Sequence, residues 1–338
     1  MELMRLRKLS RRGIGGGIVA MLATAAVSVT MVVGPAAAST KKPFRMALVA
    51  VAPIAGNPFY LTLQCYAKQE AHKLGIKLTQ DNPTAQTVQA QLPVLQAAIA
   101  TKPNLILLAP DDAVALTPTV LQAMKEGIKF LYFDQIPTNT KGAVSQLSYN
   151  AVAAGVADAK ALAKAMGNTG DADSIGITPG IPTVDGIVQG FQQGLQGTGV
   201  TFKTALQNPT NSAVSATSVA EAAMAADPNL KGFLGVVAPG ADGAETAIAQ
   251  TGAKGVSVVS NFTDYEQISQ INNGSLSSLV GLPAGPMGTE AIQQAYNALA
   301  GKKVTKKIVL PTATITKANI GTKAIQKYLY LTTCAGGV

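Results

Sequence analysis

Past Arg45 the sequence contains no arginine, and its one histidine is His72. Arginine grips carboxylates and phosphates with paired hydrogen bonds, so a buried anionic ligand would have to rely on lysine or backbone N–H groups. The lack points to a ligand that is neutral and polar. His72 falls on a helical face between Lys68 and Leu74, a surface position, and leaves no histidine for a catalytic triad or a histidine-rich metal site. No Cys-x-x-Cys pair is present. The run Gly235 to Gly240 (Gly-Val-Val-Ala-Pro-Gly) lacks the spacing of a dinucleotide or phosphate loop. Asp111 and Asp112 are paired carboxylates just before Ala113, where helix capping is the expected role. The lysines are scattered, with no basic stripe interleaved with aromatics, which argues against nucleic acid. Together these absences exclude the usual machinery of an enzyme and call for neither metal nor cofactor.

What the chain does have begins with an export signal. Arg5, Arg7, Lys8, Arg11 and Arg12 form a basic stretch, Ile18 to Val33 is apolar, and Ala36-Ala37-Ala38 fits a small-x-small cleavage site. The apolar run of about 16 residues falls short of the ~20 that a membrane span needs, a retained anchor being the alternative. Ser10-Arg-Arg12 is a weak match to twin-arginine export. No cysteine lies near the cleavage point, so a lipoprotein is not expected. Removing 38 of the 338 residues leaves 300, enough for two domains of ordinary size, and lowers the formal charge from +9 to +5. The expected location is the periplasm or cell surface. In an exported protein the two cysteines, Cys65 and Cys334, predict a disulfide; the alternative is a buried thiol on the first helix and another in a frayed tail.

Strand-like apolar runs alternate with helical segments along the rest of the chain. The expected strands are 45–52, 76–80, 104–109, 128–133 and 143–148, with helices over 58–74, 85–101 and 113–126. A second series has a helix at 151–166, strands at 173–178, 200–206, 232–237, 256–260 and 277–281, and helices at 184–196, 213–226, 241–251 and 264–273. Helix 286–300, strand 308–316 and helix 322–330 close the chain. The strands are near-continuous apolar runs, as parallel strands covered on both faces must be. The prediction is an α/β protein of two five-stranded, doubly wound parallel lobes. Candidate hinges lie at Ser148-Tyr-Asn150, Gly281-Leu-Pro283 and Leu310-Pro-Thr312. The expected lobes are 44–149 with 282–311, and 150–281 with 312–330, leaving a tail at 331–338.

Several motifs fall in order along this frame: Asn57-Pro-Phe-Tyr60, Leu107-Leu-Ala-Pro-Asp-Asp112, Phe133-Asp134-Gln135, Leu147-Ser-Tyr-Asn150, Gly190-Phe-Gln-Gln193, Ile315-Thr-Lys317 and Lys327-Tyr-Leu-Tyr330 before Cys334. With them the chain resembles the periplasmic sugar-binding proteins of the ribose-binding type, the substrate receptors of ABC importers. The resemblance implies a type I periplasmic binding fold with a ligand site between the lobes. It implies ligand roles for Asn57, Phe59 and Tyr60 after the first strand, for Asp134 and Gln135 after the fourth, and for Asn150 at the hinge. Asp134 would accept sugar hydroxyls, and the aromatics would stack on a pyranose face. Each has a bland alternative: core packing for Phe59 and Tyr60, a cap or turn for Asp134, an N-cap for Asn57.

In the second lobe the sequence departs from the family's polar pattern. The ligand position before Gly190-Phe191 falls near Ile187, with Asp185 as the nearby substitute. Those after the eighth and ninth strands fall near Val237-Ala238 and Asn261-Phe262, and the hinge position falls near Gly281. Pro239, Asp242, Asn261 and Phe262 are the candidates here, with Asp264 nearby. The implied function is capture of a neutral, sugar-like molecule by a monomer that passes it to an ABC permease. The rivals are a receptor presenting its ligand to a chemotaxis or kinase sensor, and an extracellular α/β enzyme.

Overall fold

Apolar runs bounded by glycine, proline and capping residues divide the chain into regular elements. The computed structural model describes residues 42–54, 57–177, 179, 181–208 and 210–334. The export signal and its cleavage point lie outside them. The first half runs β1 (Arg45–Val49), α1 (Pro58–Lys73), β2 (Lys77–Asp81), α2 (Val88–Ala100), β3 (Leu105–Leu108), α3 (Ala113–Lys125), β4 (Lys129–Phe133) and β5 (Ser145–Tyr149). Then come α4 (Ala151–Ala165), β6 (Gly170–Gly176), α5 (Pro182–Leu195), β7 (Val200–Gln207), α6 (Ala213–Ala226), β8 (Leu230–Gly235), α7 (Ala238–Thr251), β9 (Ser257–Ser260), α8 (Tyr265–Asn273) and β10 (Leu276–Gly281). The chain ends with α9 (Ala284–Leu299), β11 (Lys307–Leu310), β12 (Ala313–Ile315) and α10 (Lys323–Gln326).

The strands form two separate six-stranded sheets, β11-β5-β4-β3-β1-β2 and β12-β10-β9-β8-β6-β7. All pairs are parallel except β12 with β10. All four residues of β3 are fully buried, as a central parallel strand covered on both faces requires. The expected single strand 308–316 breaks at Pro311-Thr312, and its halves join different sheets. Proline has no N–H to give a ladder, so a continuous strand through Pro311 is disfavoured. Each lobe therefore has six strands instead of the five expected. The chain passes between the sheets three times: after β5, after β10, and between β11 and β12.

Local chemistry explains the helix positions. Asn57 caps α1 by accepting from the Tyr60 N–H at 3.2 Å, with Pro58 in the first turn. The helix stops at Gly75, whose φ of +66° suits glycine. Asp112 caps α3, accepting from Val114 and Ala115 N–H at 2.7 and 2.9 Å, as expected of the carboxylate pair. In the second lobe, α4 and α5 touch backbone to backbone. A Cβ on Gly155 would run into the Ile187 carbonyl, and one on Gly190 into the Val152 carbonyl. That close packing fixes which face of α5 turns inward. Among the described residues, no helix is long and apolar enough to cross a membrane.

The expected helix 322–330 shrinks to Lys323–Gln326. Beyond it the chain becomes a strap. The Thr263 hydroxyl donates to the Tyr328 carbonyl at 2.5 Å and the Tyr330 N–H donates to the Thr263 carbonyl at 2.8 Å, on the second-lobe side. The Leu331 N–H then donates to the Thr62 hydroxyl of α1 at 2.7 Å, and Cys334 is disulfide-bonded to Cys65, also on α1. The cross-link closes a separation of 269 residues. Chain entropy assigns a loop of that size about 5 kcal/mol as an upper value. A Cys65→Ser/Cys334→Ser variant is therefore expected to unfold at lower urea concentration, by up to this amount. An unchanged midpoint would contradict the contribution.

Candidate functional site

Parallel strands deliver their C-terminal ends to one edge, so loops and helix N-termini gather there. A cavity of about 390 Å³ lies between the two sheets, within the range of small-molecule sites. From the first lobe it is lined by Asn57, Phe59 and Tyr60 after β1, Asp134 and Gln135 after β4, and Tyr149 at the end of β5. From the second lobe come Thr183 and Ile187 on α5, Pro239 and Asp242 on α7, and Phe262 and Asp264 after β9. Gln86 and Asn211, both exposed, stand among the lining residues as well.

Asp134 is the centre of the first-lobe wall. It is 7% exposed and adopts φ +58°, a left-handed conformation that aspartate tolerates better than most residues. Its N–H is held by the Leu147 carbonyl at 2.9 Å. The Tyr60 hydroxyl donates to its Oδ2 at 2.5 Å. Burial pushes the Asp134 carboxyl up to about 6, against the Tyr60 bond, which favours the ionised form. Burial, reinforced by the Asp134 charge, raises the phenols of Tyr60 and Tyr149, so both remain neutral.

Phe59 packs edge-on against Tyr60 and Tyr330, with ring centroids 5.2 and 5.9 Å apart, and Phe262 packs against Tyr330 at 6.0 Å. The strap thus supplies the ring that supports both cavity aromatics. Across the cleft, Gln135 Nε2 donates to the Thr183 hydroxyl at 3.1 Å, a direct contact between lobes. Asp242 Oδ1 accepts from Gln267 and Gln270 at 2.6 and 3.1 Å, and burial raises its carboxyl to about 6. Asp264 caps α8.

Three sequence candidates lie outside this cavity. Asn150 is exposed and caps α4, accepting from the Ala153 N–H at 2.9 Å. Its neighbour Tyr149 lines the cavity instead. Asp185 is exposed in the first turn of α5, off the face that carries Thr183, Val184 and Ile187 to the cavity. Asn261 is fully buried and donates to Asp158 Oδ2 at 2.7 Å, a link inside the second lobe. Burial raises the Asp158 carboxyl well above its ordinary value. Sequence reasoning missed Tyr149, Thr183, Gln86 and Asn211. Only Tyr149 carried a signal, as part of the hinge motif. Among the described residues, no group of three or more His, Cys, Asp or Glu could hold a metal ion.

The model of the periplasmic binding protein domain matches residues 48–303. No curated protein sequence matches the chain. Among solved structures, an ABC transporter solute-binding protein from Agrobacterium vitis bound to α-D-tagatopyranose is similar at 26% identity, with a TM-score of 0.77 and coverage of 85% of this chain and 99% of that one. A second from the same organism, with bound D-fucose, shares 24% identity, a TM-score of 0.76 and coverage of 85% and 100%. A glucose-galactose binding protein from Geobacillus stearothermophilus shares 20% identity, a TM-score of 0.75 and coverage of 83% and 100%. The last two speak for the fold alone.

The raised Asp134 carboxyl has a consequence for stability. Folded Asp134 holds its proton up to about pH 6, against 3.8 for an unperturbed aspartate. The stability contributed by protonation is full below 3.8 and is lost as pH rises through about 6. Relative to Asp134→Asn, the wild type is expected to lose about 2 kcal/mol between pH 4 and 7 in urea unfolding. Comparison with this variant removes the share of Asp242, which titrates in the same range. Parallel pH profiles would contradict the raised value.

Proposed function

Because the chain belongs to the periplasmic binding protein family, we propose that it captures a neutral polar small molecule, a sugar or sugar derivative, and hands it to an ABC importer. The observation that carries this reading is the interlobe cavity with a buried carboxylate, Asp134, at its first-lobe wall. A carboxylate accepts two hydroxyls directionally, and the neighbouring Phe59, Tyr60 and Phe262 offer apolar surface to a ring's C–H groups. The Agrobacterium vitis protein similar at 26% identity holds tagatopyranose, which supports a carbohydrate class.

In this reading the lobes are 44–149 with 282–311 and 150–281 with 312–330. They turn about 148–150, 281–283 and 310–312. Ligand contacts to both lobes favour the shut state, and the Gln135–Thr183 bond is one of the contacts that the shut state makes. Export with cleavage after Ala38 would place the protein outside the cytoplasm, one ligand per chain, with no chemistry done on it. Asn57, Phe59, Tyr60, Asp134, Gln135, Pro239, Asp242 and Phe262 are the proposed ligand contacts, joined by Tyr149 and Thr183.

A thermal-shift screen of sugars, polyols and nucleosides tests this. At least one sugar is expected to raise the melting temperature saturably. A flat panel from cooperatively folding protein would overturn the reading. With the ligand in hand, Asp134→Ala should weaken binding about tenfold to a hundredfold, the cost of losing a buried acceptor. Unchanged affinity would remove Asp134 from the site.

A further inference from the structure

The two walls of the cavity differ in chemistry. The first-lobe wall carries Asn57, Tyr60, Asp134, Gln135 and Tyr149, a mixed set of donors and acceptors. The second-lobe wall is largely aliphatic: Ile177, Ile181, Val184, Ile187, Val236 and Val237 all line it. Its polar side chains among the described residues are Thr183, Asp242, Asp264 and Asn211, and the two aspartates accept through Oδ1. Thr183 accepts from Gln135, Asp242 from Gln267 and Gln270, and Asp264 from the backbone of α8, while Asn211 is exposed. The caps of α5 and α7, Ile181 and Val237, make no side-chain capping bond. Pro182 and Pro239 carry no N–H and the Gly240 N–H donates to the Val237 carbonyl at 2.9 Å, so only a few unbonded backbone N–H groups are left in those first turns as donors. They can satisfy an ether or ring oxygen, which asks for no acceptor in return. Among the described residues, no lysine, arginine or histidine lines the cavity.

Resting on the sugar reading above, we propose that the ligand is an amphipathic ring: a neutral sugar whose face toward the second lobe is deoxygenated or O-alkylated. A hydroxyl laid on the aliphatic wall loses its water and finds no full set of partners, whereas a methyl or methylene gains contact there. A carboxylate or phosphate group on the ligand would enter a cavity that carries three aspartates and no cation, so uronic acids and sugar phosphates are excluded.

Calorimetric titration with matched series tests the inference: D-galactose against D-fucose, methyl β-D-galactoside and D-galacturonate, and L-mannose, D-mannose and D-glucose against their 6-deoxy, O-methyl and uronate forms. In the series of the right stereochemistry, a deoxy or O-methyl member is expected to bind at least tenfold more tightly than its parent, and the uronate not at all. A parent that binds as tightly as its best derivative, or a uronate that binds, overturns the inference while leaving the sugar reading intact. Absence of binding in every series overturns the sugar reading and the inference together. Val184→Thr, a near-isosteric change that adds a hydroxyl to the wall, should shrink the preference for the deoxy form severalfold; Val237→Thr serves the same purpose if the first variant fails to fold. An unchanged preference in a folded variant also counts against the wall's role.

Discussion

Parallel strands end together, and that constraint decides where this molecule keeps its polar loops. Each sheet has an apolar interior on both faces and one edge at which every βα connection emerges. Setting two such edges opposite each other makes a gap lined by strand ends and helix starts, whatever the details of sequence. The strands need only be buried. The side chains that follow them line the cavity. Asp134, one position past β4, is the plainest case, and Asn57, in the loop between β1 and α1, is another.

The same arrangement makes the connections between lobes important. The chain crosses three times along its backbone, and the C-terminal strap adds a covalent fourth link. The strap is hydrogen-bonded to Thr263 on one side and to Thr62 on the other, with Tyr330 wedged between Phe59 and Phe262. Any opening of the cleft therefore proceeds with this strap attached at both ends. The disulfide also couples stability to the site, since the residues it secures support the cavity aromatics.

Much of the fold was legible because apolar runs of strand length and glycine stops recur without ambiguity. Two elements were misread. Strand 308–316 looked continuous because apolar residues flank Pro311 on both sides, and helix 322–330 looked continuous because Tyr328 and Tyr330 sit at plausible spacing. Pro311 itself ends the first, whereas bonds to Thr263 and Thr62, distant in sequence, draw out the second. The first-lobe residues that line the cavity were readable since they lie in the loops and helix starts that follow strands. The second-lobe residues sit on helix faces, where a one-residue difference turns a side chain away. Asp185 and Ile187 illustrate this: the close approach at Gly155 and Gly190 sets the rotation of α5, and no local pattern encodes it. That Asn261 turns away from the cavity was not legible, because its partner, Asp158, lies 103 residues away.

The most direct test is a co-crystal structure with the tightest-binding sugar. The account predicts ring density between the sheets, hydrogen-bonded to Asp134 and lying against the aliphatic wall of the second lobe. Density bound elsewhere on the molecule, with that cavity empty of sugar, would contradict it.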